Sequence, residues 1–132
     1  MGVVLVMESD LRFAAALRYH TQQIIISKIL QRIGLRAIFA GDVIEVLQLI
    51  ASHRPDLVVL DLILPEINVY EVCRQIKSND SHKPAVLIFF NKPEECNLEQ
   101  GSKQGADAYI SKLCRPQELV DAILKLYCKK SN

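Results

Sequence analysis

An excess of charge of either sign is absent from this 132-residue chain. Sixteen Lys and Arg stand against 15 Asp and Glu, a formal net charge of +1. There is no electrostatic case for nucleic acid or an acidic membrane as partner, and the one tight basic pair is Lys129-Lys130. Long apolar runs are absent too. The run 3–7 is too short for a signal peptide and ends in Glu8-Ser9-Asp10, and no stretch is long enough to span a membrane. Paired cysteine spacing is missing: Cys73, Cys96, Cys114 and Cys128 lie far apart with no C-x-x-C. Isolated thiols without a secretory signal predict a reducing, cytoplasmic setting. No Gly-rich loop follows the first apolar run, which argues against dinucleotide or P-loop nucleotide binding. His20, His53 and His82 are dispersed and form no metal spacing.

What is present centres on residues 54–68. The run Leu57-Val58-Val59-Leu60 is apolar and branched, as in a strand buried on both faces of a parallel sheet. A carboxylate cannot sit inside such a strand, so Asp61 is expected at its C-terminal end, where open α/β sheets bind ligands. Pro65 then takes the chain out of the ladder. Further strands are predicted at 3–7, 35–40, 84–90 and 108–111. Between them the pattern is helical. The first helix is predicted to be long, 11–33, ending before Gly34. Its apolar residues fall on two faces, Phe13, Leu17 and Ile24 against Ile26, Leu30 and Ile33, so that it kinks or meets a partner. Asp42 with Glu45, and Asn68 with Glu71, have capping-box spacing at a second and a third helix. The second should bury Val43, Val46, Leu47 and Ile50, and the third Val69, Val72, Cys73 and Ile76. A fourth helix over 93–104 has little more than Cys96 and Leu98 to bury and carries Gly101, which predicts a short, frayed or mobile element. Pro116 opens a fifth, burying Leu119, Val120, Ile123 and Leu126. Five strands alternating with five helices in one domain, 1–132, give an α/β, doubly wound parallel sheet.

Glu8 after the first strand, Asp61 after the third, Lys112 after the fifth, Pro65 in the loop and Tyr109 three residues before Lys112 stand in one order. Singly, Glu8 and Asp10 read as first-turn acids, Asp61 as a turn former and Lys112 as a surface residue. Together, on predicted strand ends, they resemble the receiver domain of two-component response regulators, and the resemblance covers essentially the whole chain. It implies a five-stranded sheet of order 2-1-3-4-5. It implies Asp61 as phosphoacceptor, Lys112 as its counter-ion, and a Mg²⁺ site made of Glu8, Asp61 and the Ile63 carbonyl. It also implies a protein-interaction face on the fourth helix, fifth strand and fifth helix, met by a histidine kinase or phosphotransfer protein and a downstream effector. Association as a homodimer through the first helix, with its consecutive Ile24, Ile25 and Ile26, is a further expectation.

Departures from the family's pattern cluster at the site. Ser9 stands in place of a second acid, which should weaken Mg²⁺. Counted from Pro84, the family's hydroxyl at the end of the fourth strand is Phe89, or Phe90 if the count slips by one; neither has a hydroxyl, and the small residue that normally follows is also aromatic. Lys-Pro is Lys112-Leu113, the loop Gly is Val69, and the first helix is about two turns longer than usual. Phe89 or Phe90 is expected to fill the space into which Tyr109 would move as a switch. The expectation is a degenerate, pseudo-receiver domain that signals by protein contact. The alternatives are a fully active phosphoacceptor and a flavodoxin-like cofactor-binding module. Against the last, Glu8-Ser9-Asp10-Leu11 is too acidic for a flavin phosphate loop. Cys114, near the site, is expected to be an idle thiol rather than a reactive one.

Overall fold

The computed structural model describes residues 2–7, 26–40, 43–62, 68–78, 83–111 and 113–131, with backbone alone at 2–7, 39 and 127–131. Five strands, β1 (Gly2–Met7), β2 (Leu35–Ala40), β3 (Leu57–Asp61), β4 (Ala85–Phe90) and β5 (Ala108–Ser111), form one sheet in the order β2-β1-β3-β4-β5. Every pairing is parallel. Four helices cross between strands or follow the last: α2 (Val43–His53), α3 (Val69–Lys77), α4 (Leu98–Gln104) and α5 (Pro116–Ser131). A helix we number α1 is described over residues 26–32; the rest of the expected 11–33 helix lies outside the described residues.

Strand alternation sorts the apolar side chains into two cores, one on each face. Val58, Leu60, Val86 and Ile88 pack with Val46 and Ile50 of α2 and Val72, Cys73 and Ile76 of α3. Leu57, Val59, Leu87 and Phe89 pack with Ile29 and Leu30 of α1 and Leu119, Ile123 and Leu126 of α5. β3 is buried along its whole length, which explains why its sequence is a continuous apolar run rather than an alternating one. The edge strand β5 is half-buried throughout.

Three local expectations change. On α2, Leu47 is exposed and Leu49 packs instead. Both flank the stripe centred on Val46 and Ile50, and the orientation of the helix on the sheet selects between them. At the start of α3, Asn68 caps as expected, its side-chain oxygen accepting the Tyr70 N–H at 3.0 Å. Glu71 does not complete the box, because its carboxylate pairs with Arg74 one turn on. The predicted helix 93–104 divides into a 3₁₀ turn, Pro93–Glu95, and the seven-residue α4. Asn97 starts α4 by accepting the Gln100 N–H at 3.0 Å. Gly105 ends it at φ 102°, a left-handed cap in which a Cβ would press into the Lys77 stem.

Candidate functional site

β3 delivers Asp61 to the C-terminal edge of the sheet as its last residue, with 4% of its surface exposed. It is the buried acid among the described residues. Its register partner on β4 is Phe89, also buried. The ladder continues one bond further, with the Leu62 N–H donating to the Phe89 carbonyl at 2.8 Å. β1 ends at Met7, opposite Leu60, and β5 ends at Ser111, opposite Phe90. The chain ends after β1, β3 and β5 therefore leave the sheet at the same edge, as the acid, acid, lysine spacing requires of its backbone. Glu8, Ser9, Ile63 and Lys112 themselves lie outside the described residues. Among the described residues no group of three His, Cys, Asp or Glu is placed to hold a metal ion.

Phe89 and Phe90 separate. Phe89 points into the core beneath α1 and α5. Phe90, half-buried, packs on the opposite face, the one that also holds Tyr109. Of the two aromatic residues expected to crowd the tyrosine, Phe90 shares its side of the sheet. Tyr109 lies against α4, its hydroxyl donating to the Asn97 carbonyl at 3.2 Å. Burial pushes its phenol above the ordinary value, and the neighbouring Tyr70 hydroxyl adds to the rise. Tyr70 in turn accepts the Asn97 N–H at 2.8 Å. Neither Tyr70 nor Asn97 stood out in the sequence. The available signal was Gly101, a glycine inside a helix, which marks a close approach: a Cβ there would fall on the Tyr109 hydroxyl.

Burial disfavours the thiolate at the cysteines whose side chains are described. Burial pushes Cys73 up to about 12, and burial raises Cys96 and Cys114 as well. Cys114 packs against the α5-side core, which agrees with an idle thiol. No helix among the described residues is long and apolar enough to cross a membrane.

Comparison with known proteins agrees with this geometry. The family described as "Response regulator receiver domain" matches residues 19–124. The alkaline phosphatase synthesis transcriptional regulatory protein PhoP of Bacillus subtilis is 36% identical over 102 residues, which is 77% of this chain and 42% of that protein. The DNA-binding response regulator MtrA of Mycobacterium leprae is 39% identical over 87 residues, 66% of this chain and 38% of that one. The chain thus matches about two fifths of the length of these relatives. Among solved structures, a response regulator receiver domain protein from Clostridium thermocellum superposes with a TM-score of 0.79 at 24% identity, covering 99% of this chain and 98% of that one. A response regulator from Chloroflexus aurantiacus gives 0.75 at 23% identity, covering 96% and 98%. Sheet order, an acid at the end of the central strand and a family match over most of the sequence converge, and the chain belongs to the response regulator receiver domain family.

Proposed function

We propose that residues 1–132 form one receiver domain of a two-component system that acts by protein contact, with a weak or absent phospho-switch. The observation that supports this most is the register partner of Asp61: a buried phenylalanine, Phe89, stands where the family carries a hydroxyl. In this reading Asp61 is the candidate acceptor and Lys112 its counter-ion. Phe89 and Tyr109 occupy the switch positions. The output surface is α4, β5 and α5 around Tyr109. The partners are a histidine kinase or phosphotransfer protein and a downstream effector, in the cytoplasm, without nucleic acid or membrane contact by this chain.

A ligand shifts a two-state equilibrium only by its differential affinity for the two states. A hydrogen bond to a charged phosphoryl oxygen is worth about 1.5–3 kcal/mol, and its loss removes most of a tenfold to hundredfold shift. Tyr109 is already docked on α4, which leaves less for a phosphoryl group to drive. The Asp61 carboxylate, an oxygen donor at a strand end, fits a hard cation. Glu8 and the Ile63 carbonyl would complete the Mg²⁺ site, with Ser9 supplying no charge. When bound, the ion supplies charge neutralisation between carboxylate and phosphoryl oxygens.

The test is the set of amide and aromatic NMR shifts with and without beryllofluoride and Mg²⁺, together with mass spectrometry after a small-molecule phosphodonor. We expect shifts confined to the neighbourhood of Asp61, and an Asp61→Asn protein that keeps partner binding within a few-fold. Large shifts spreading from Asp61 to Tyr109 would restore the second reading, a conventional phospho-switch, which the buried acid at the strand end favours.

A further inference from the structure

α4 has almost nothing apolar to hold it. Gly101 is its buried residue, and Leu98 is 64% exposed. Its attachment is polar and converges on Asn97, the residue before it. The Asn97 N–H donates to Tyr70 Oη of α3 at 2.8 Å, and the Asn97 carbonyl accepts the Tyr109 hydroxyl of β5 at 3.2 Å. The same carbonyl accepts the Gly101 N–H at 2.9 Å, the first bond of the helix. Two tyrosines from different elements thus meet on one residue, Tyr70 accepting from its N–H and Tyr109 donating to its carbonyl. Gly101 is the steric condition for this pair of bonds, because a Cβ would occupy the position of the Tyr109 hydroxyl and would also crowd the Tyr70 ring.

We propose that Tyr70 and Tyr109 form a latch on Asn97 that holds α4 to α3 and β5, and that α4 is released as a unit when either bond is broken. Tyr70 is a positioning residue, joining the α3 face to an output surface it does not itself form. The latch stands whether or not Asp61 accepts a phosphoryl group, so its test uses none.

The experiment is amide hydrogen exchange, read by NMR on the intact chain. Tyr70→Phe and Tyr109→Phe each keep the ring and remove one of the two hydrogen bonds to Asn97. Each should speed exchange of the amides of residues 101–104 about tenfold, the equivalent of one hydrogen bond, and leave the amides of α2 and α5 unchanged. Gly101→Ala should do the same, although alanine is the better helix former. Wild-type exchange across 101–104 in Tyr70→Phe, or slower exchange in Gly101→Ala, would overturn the latch.

Discussion

Phe89 carries the most consequence of any single residue. Its place at the end of the fourth strand was countable from Pro84 to within one residue, and the ladder register then sets it opposite Asp61. That it faces the α5-side core, away from Tyr109, was not countable, since the parity of a strand that is buried on both sides leaves no polar face to read. Restoring the hydroxyl therefore conflicts with packing. Phe89→Thr should lower stability by about 3 kcal/mol, at the low end of large aromatic truncations, as measured by urea denaturation. A loss under about 1 kcal/mol would mean that the ring is not packed as described. Ser9, whose surroundings lie outside the described residues, gives a second residue-scale prediction. Ser9→Asp should tighten Mg²⁺ in a titration, because it returns a charged oxygen ligand. Equal affinities would place Ser9 away from the site.

At the scale of elements, helices with a full apolar face were legible and α4 was not. Val69, Val72, Cys73 and Ile76 repeat at helical spacing and are all buried in α3. α4 has no such repeat, and its hold on the fold comes from tyrosines 27 and 12 residues away in the chain from Asn97. A second polar tie joins α3 to the far strands. Asp107 accepts both the Lys77 ammonium and the Val86 N–H, each at 2.8 Å, and its own N–H donates to the Val86 carbonyl at 2.9 Å. Asp107→Ala leaves the Val86 amide without its side-chain acceptor and should cost about 1–3 kcal/mol. Denaturation reads the loss, and Asp107→Asn, which keeps an acceptor oxygen, should recover part of it. An alanine variant as stable as wild type would show that water replaces the carboxylate at no loss.

For the whole molecule, acid stability is set in part by carboxylates on two surface helices. The hydrogen bond from Arg74 holds Glu71 below its ordinary value of 4.5, and the hydrogen bond from Arg115 does the same for Glu118. The unfolded chain therefore binds these protons first as pH falls. Their contribution is complete above 4.5 and is lost as pH drops through the lowered folded-state values. The urea midpoint should fall on acidification in that window, and a Glu71→Gln, Glu118→Gln double variant should show a shallower acid slope. Identical slopes in the two proteins would assign the acid limb to other groups. Both pairs are solvent-exposed, so added salt should flatten the wild-type slope as well.

The sequence by itself determined the fold class, the five strands and the edge at which Asp61 emerges. These follow from local periodicity and from the rule that a strand covered on both faces admits a carboxylate only at its end. It also showed which family features are absent, since Ser9, Phe89 and Leu113 are identities rather than geometries. The tertiary structure alone decided which core each aromatic residue joins, which flank of α2 is buried, and what fastens α4. Those depend on the rotation of helices about their axes and on hydrogen bonds between residues distant in the chain. A helix seven residues long, with one buried glycine, carries no amphipathic pattern from which such contacts could be read.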